Sequence, residues 1–237
     1  MENQNNYELV PVLGLTVDAV SVPRAVEISQ SYVENDYFNF ILLAGAQLAM
    51  DSLESEETRQ FVKSADLILP GDHDIEKAIA MNQEGHFLEE YIDQLLMTLA
   101  ADHRKVCILC NNEEQCKKAE SYLQHDYQGL EIKTLIFDKD SEEAMGALAN
   151  SINGLLPDVI IPLVALDLQK KLLNAHRETL CAKLYLSSER IASQIFMEIL
   201  DQDEENTIVK WLKKKLQLGS EGVSTDFWQR FDADVTE

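Results

Sequence analysis

Six short apolar runs constrain this chain more than any other feature. They are Asn-Phe-Ile-Leu-Leu-Ala-Gly at 39–45, Asp-Leu-Ile-Leu-Pro at 66–70, Val-Cys-Ile-Leu-Cys at 106–110, Ile-Lys-Thr-Leu-Ile-Phe at 132–137, Asp-Val-Ile-Ile-Pro-Leu-Val at 158–164 and Ala-Lys-Leu-Tyr-Leu at 182–186. A strand with one wet face alternates apolar and polar residues. Most of these runs are continuously apolar instead, which marks strands covered on both faces, as parallel strands are.

The segments between the runs carry helical spacing. Residues 22–34 carry apolar side chains at Val22, Ala25, Val26, Ile28 and Val33, and residues 87–99 at Leu88, Tyr91, Ile92, Leu95, Leu96 and Leu99. Further helices are expected at 48–65, 113–123, 142–155, 166–176 and 188–200. Ser141 before two acids, and Ser187-Ser188-Glu189, read as N-caps. Strand–helix alternation of this kind implies βαβ units. The expected fold is a three-layer, Rossmann-like α/β domain over residues 1–200, with a mostly parallel sheet, followed by a short helical C-terminal tail at 201–237.

Charge narrows the partners. Forty-two Asp and Glu against 20 Lys and Arg leave a net charge of −22 over 237 residues. Such a surface repels phosphate, which argues against nucleic acid as a partner. No run reaches the length of about 18 apolar residues that a bilayer span needs, and the start of the chain has no secretory pattern. Four cysteines are too few for a disulfide scaffold, so a cytoplasmic protein is expected. The tail adds one qualification. Residues 208–216 form an amphipathic segment with Lys210, Lys213, Lys214 and Lys215 around Trp211. It suits peripheral contact with a membrane interface, or docking of Trp211, Leu212 and Leu216 onto the domain. Phe227, Trp228 and Phe231 are further candidate anchors.

Ligands of open parallel sheets bind outside the carboxyl ends of the strands. The loops there are 44–47, 71–74, 111–114, 138–141, 165–169 and 187–190. Gly71-Asp72-His73-Asp74 carries the most chemistry. Asp72 and Asp74 can hold a divalent cation such as Mg²⁺ or Mn²⁺, and Asp72 or His73 can serve as a general base. The alternative is that Asp72 or Asp74 caps a helix at 75–81. Cys107 and Cys110 have C-x-x-C spacing, but inside a strand they point to opposite faces and read as small buried hydrophobes. Cys116, Cys181, His86, His103, His125 and His176 show no metal-ligand spacing. There is no G-x-S-x-G, P-loop or G-x-G-x-x-G.

The order of segments is similar to that of the WecG/TagA/CpsF glycosyltransferases. Leu13-Gly-Leu-Thr-Val-Asp18, residues 40–49 and Ser64-Ala-Asp-Leu-Ile-Leu-Pro70 resemble the opening of that family. Val106-Cys-Ile-Leu109 resembles its central strand, Tyr127-Gln-Gly-Leu-Glu-Ile132 its Y-P-x-L-x-I turn, and Ile152-Asn153 with Leu156-Pro-Asp-Val-Ile160 its I-N…P-D-I-L segment. The resemblance covers residues 10–195. It implies a UDP-sugar donor and transfer of an N-acetylmannosamine-type sugar to a polyprenyl-diphosphate-linked acceptor. It also implies catalysis at Asp72 and substrate contacts at Gly45, Gly71 and Gln169.

Four functional motifs of the family are altered here. T-x-N falls on Leu43-Ala-Gly45, and L-P-D-G reads Leu69-Pro-Gly-Asp72, with the last pair reversed. P-K-Q-E falls on Asp167-Leu-Gln-Lys170 and keeps only Gln169. G-V-G-G-x-F-D falls on 184–190, which has no glycine. Glycines let backbone amides approach a diphosphate, and side chains block that approach. The expectation is a non-catalytic or strongly diverged relative with a binding or regulatory role in cell-envelope polysaccharide synthesis. Its expected partners are a UDP-sugar and either another envelope-glycan enzyme or a second copy of the chain. The alternative is an active transferase that moves an N-acetylhexosamine through a site rebuilt around residues 72–74.

Overall fold

The computed structural model describes residues 7–79 and 86–188. The predicted helices at 188–200 and 208–216 and the anchors Phe227, Trp228 and Phe231 fall almost wholly outside the described residues. Only Ser188 of the first lies inside. Among the described residues the chain runs β1 (Glu8–Val12), β2 (Leu15–Ala19), α1 (Val22–Glu34), β3 (Asn39–Ala44), α2 (Ala46–Glu54), α3 (Glu56–Lys63), β4 (Leu67–Pro70) and α4 (His73–Ala78). It continues α5 (Phe87–Ala101), β5 (Lys105–Cys110), α6 (Glu113–Asp126), β6 (Glu131–Ile136), α7 (Glu142–Leu155), β7 (Val159–Pro162), α8 (Leu166–His176) and β8 (Leu184–Ser188).

Strands β3 to β8 form one sheet in the order β4-β3-β8-β7-β5-β6, and every pairing in it is parallel. The continuous apolar runs are these strands, and all six residues of β3 are buried. Alternate strand residues feed two cores. Ile41 and Leu43 pack with α1, α5 and α6 through Val26, Tyr91, Leu95 and Leu123. Phe40 and Leu42 pack with α2, α3, α4, α7 and α8 through Leu48, Phe61, Ile75, Leu148 and Leu172. Three layers result, and the domain is Rossmann-like in that sense. Cys107 and Cys110 lie in opposite cores, as strand geometry requires, and both are free thiols. Burial pushes the Cys107 thiol up to about 12.

Two elements differ from the sequence reading. The segment ahead of α1 is an antiparallel hairpin of β1 and β2, with Leu13 and Gly14 both at positive φ in the turn. Two left-handed residues are what a tight hairpin turn needs. The hairpin stands apart from the main sheet, beside its edge strand β4. Asp18 of β2 accepts the Ile68 amide there at 2.7 Å, so a carboxylate satisfies a donor that an edge strand leaves open.

The long helix expected at 48–65 is two helices. Ser55 breaks it, and its hydroxyl accepts the Thr58 amide to start α3. Arg59 then donates to the Ser52 and Leu53 carbonyls and closes the end of α2.

Ser187 and Ser188 are buried residues of β8, and the helix start expected after them lies outside the described residues. Ser141 does cap α7, accepting the Ala144 amide at 3.3 Å.

Candidate functional site

The carboxyl end of β4 is shaped by Gly71. Its amide donates to the Ala44 carbonyl at 2.8 Å, which draws the loop against the end of β3. A Cβ on residue 71 would lie 2.5 Å from the Leu43 carbonyl oxygen and 2.6 Å from its carbon. Both are backbone atoms that cannot step aside, so only glycine fits. The position that carries Asp in the family's L-P-D-G pattern must be glycine in this loop, and the carboxylate comes one residue later.

That carboxylate belongs to Asp72, which is only 7% exposed. Oδ1 accepts the Ile75 amide at 2.9 Å and caps α4. Oδ2 accepts the Ala46 amide at 2.8 Å, at the first residue of α2. Gly45 is the N-cap of α2 and has no side chain to offer, so Asp72 supplies the missing acceptor from the neighbouring loop. One negative charge thus serves two helix N-termini, where helix dipoles favour it.

Gln169 is fully buried at the start of α8. Its Nε2 donates to the Val164 carbonyl at 2.7 Å and the Ser188 carbonyl at 3.2 Å. Its Oε1 accepts the Ser187 hydroxyl at 2.6 Å. The side chain therefore clamps the carboxyl ends of β7 and β8 to each other. Strand β5 is followed by α6 on one face of the sheet and its neighbour β7 by α8 on the other. Such a divergence opens a crevice at the strand ends. Here Asn111 and Gln115 both donate to the Leu163 carbonyl, at 3.2 and 3.3 Å, and bridge it.

His73 and Asp74 open α4, and Asp74 is exposed. The residue the sequence reading missed is Glu76, a buried carboxyl on the inner face of α4. Its Oε1 accepts the Phe87 amide. Its Oε2 is buried without a hydrogen-bond partner and lies 3.6 Å from His73 Nδ1, which is also buried without one. Burial raises the Glu76 carboxyl above its ordinary value, and the Phe87 amide and His73 oppose that rise. A signal was present, since Glu76 follows Ile75 and precedes Ile79 by three residues on the buried stripe.

The donor set does not fit a hard divalent cation. Asp72 already holds two amides, Asp74 is exposed beyond it, and no group of three or more His, Cys, Asp or Glu side chains is placed to hold a metal among the described residues. A cavity of about 270 Å³ lies elsewhere, between the hairpin and α3, lined by Gly14, Thr16, Arg59, Lys63 and Ile68 among others. It faces the outer edge of β4 rather than the carboxyl ends of the strands.

The model of the Glycosyl transferase WecG/TagA/CpsF family matches residues 10–188. The chain belongs to that family. The match starts in the hairpin of this WecG/TagA/CpsF chain and ends on the last residue of β8, so it spans the whole parallel sheet. No curated protein matches the sequence. Among the described residues, no helix of this family member is long and apolar enough to cross a membrane.

Proposed function

We propose that this WecG/TagA/CpsF protein is a non-catalytic or strongly diverged relative with a binding or regulatory role in cell-envelope polysaccharide synthesis. The observation that carries this reading is the state of the two motif residues it retains. Asp72 gives each carboxylate oxygen to a helix amide, and Gln169 gives its whole amide group to the ends of β7 and β8. A general base must come within about 3 Å of the proton it takes. A carboxylate this buried, already holding two donors, presents little surface to an incoming hydroxyl. The four altered motifs support the same conclusion. The ligand on this reading is a UDP-sugar, and the partner is another envelope-glycan enzyme or a second copy of the chain. The free cysteines fit a cytoplasmic setting.

The test is incubation of the full chain with UDP-N-acetylglucosamine or UDP-N-acetylmannosamine and a polyprenyl-diphosphate-linked acceptor, with UDP release as readout. Release no faster than in buffer is expected. Release that depends on the acceptor and is lost in His73→Ala would overturn the reading.

One observation favours a second reading, an active transferase with a rebuilt site. His73 and Glu76 face each other with unpartnered atoms at the head of α4. An imidazole oriented by a carboxylate is a general-base arrangement. On that reading the acceptor hydroxyl gives its proton to His73 as its oxygen bonds to the sugar's anomeric carbon. The bond from that carbon to UDP breaks, and UDP leaves with the electron pair.

A further inference from the structure

Glu76 is more deeply buried than Asp72, the other buried carboxyl of the β4–α4 segment. It is 2% exposed, yet one of its two oxygens has no donor. Leaving such a group unpaired is costly, and more so when it is charged. The atom facing it is Nδ1 of His73 at 3.6 Å, itself buried and unpartnered. A shift of under about 1 Å brings the two to hydrogen-bond length. The other carboxylate oxygen cannot turn toward the ring, because the Phe87 amide holds it. The side chain of His73 is 42% exposed although Nδ1 is buried, so its exposure lies on the Nε2 side of the ring.

We propose that Glu76 is a positioning residue that holds His73 as the Nδ1–H tautomer, leaving Nε2 as a proton acceptor for a hydroxyl-bearing ligand at the β4–α4 loop. The hydrogen bond made by one ring nitrogen sets what the other can do. A carboxylate behind Nδ1 can only accept, so Nδ1 carries the proton and Nε2 keeps a lone pair. The chemistry of a base rests on the second reading above, whereas the tautomer rests on geometry alone. Rising burial cost for an ionised Glu76 supports the pairing, since the imidazole N–H is the donor that offsets it.

Glu76→Gln gives a sharp test. The amide oxygen of the new side chain stays with the Phe87 N–H, which places the NH₂ group against Nδ1. Nδ1 must then accept, and the proton moves to Nε2. The readout is the tautomer of His73 in the full chain, from ring carbon and nitrogen shifts of histidine-labelled protein, with the signal assigned by its loss in His73→Asn. The expected result is an Nδ1–H ring in the wild type, an Nε2–H ring in Glu76→Gln and no change in Asp74→Asn. If Glu76→Gln does not fold, Glu76→Asp withdraws the carboxylate by one methylene and must weaken the Nδ1–H preference. An Nε2–H ring in the wild type, or a tautomer indifferent to residue 76, overturns the proposal. UDP release measured in parallel judges the second reading separately. The expected tautomer without turnover keeps the pair and removes the transferase, and turnover with the wrong tautomer does the reverse.

Discussion

Asp72 and Ala46 are joined by a 2.8 Å hydrogen bond across two loops, from the head of α4 to the head of α2. The first expected outcome follows from it. Asp72→Asn keeps one acceptor oxygen but turns the other into an NH₂ group, which cannot accept. One of the amides of Ala46 and Ile75 is then left without its partner, at a cost of about 1–3 kcal/mol. Urea unfolding of the variant against wild type measures it. A midpoint unchanged from wild type would show that the two amides find water instead.

Gly71 and Gly146 should respond oppositely to alanine. At residue 71 a methyl group meets the Leu43 carbonyl at 2.5 Å, and overpacking of this kind costs about 1–3 kcal/mol or more. At residue 146, inside α7, a methyl group meets nothing within 4 Å. Alanine there replaces the poorest non-proline helix former with the best one and adds about 0.5–1 kcal/mol. Thermal midpoints of the two variants should move in opposite directions.

Gln169→Leu tests whether the clamp at β7 and β8 is structural. Leucine has a similar size but leaves the Ser187 hydroxyl and the Val164 carbonyl without their partner. A loss of about 2–4 kcal/mol is expected from two buried groups, read from denaturant unfolding. A stability within 0.5 kcal/mol of wild type, a margin typical of surface changes, would count against the clamp.

Asp18 gives a pH dependence with a definite sign. Burial raises its carboxyl above the ordinary 3.8, although the Ile68 amide opposes the rise. Well below 3.8 it is protonated in both folded and unfolded chains, and ionisation costs nothing. As pH rises from 3.8 toward the raised folded value, the unfolded chain releases the proton first, so this residue's contribution to stability falls. Asp18→Asn keeps an oxygen for the Ile68 amide and removes the charge. Its stability relative to wild type should therefore increase as pH rises through that window and level off above it. A difference that is flat with pH, measured by unfolding at several pH values, would contradict this.

Much of this fold is legible in the sequence because parallel strands buried on both faces leave little choice of residue. The six runs appear as β3 to β8, five of them for that reason, whereas β6 is an edge strand whose residues are mostly exposed or half-buried. The hairpin is hard to read from the sequence because β1 is Glu8-Leu-Val-Pro-Val12, with a proline in an already short strand, and only β2 alternates visibly through Leu15 and Val17. The break at Ser55 was readable too, since a serine followed by Glu56 and Glu57 is a helix start. At the site, Asp72 as a cap was one of two open readings, and the structure supplies that cap. What spacing alone could not supply was its second amide, which comes from residue 46. Gln169 was singled out through a motif, but its partners sit at strand ends 5 to 19 residues away and depend on the order of strands in the sheet. Glu76 was hidden by its type, because a glutamate in a short helix usually faces water.

The hairpin has a consequence for how the chain assembles. β1 and β2 pair only with each other, but Asp18 has no amide to receive until a strand 50 residues further on is in place. The Ile68 N–H points away from β3, so sheet formation by itself leaves it exposed to solvent exchange. Its deuterium uptake is then a clock for the arrival of the hairpin, separate from the clocks of the buried strands. A ligand or partner that loosens the hairpin would speed that single amide while the amides of β3 and β5 stay slow.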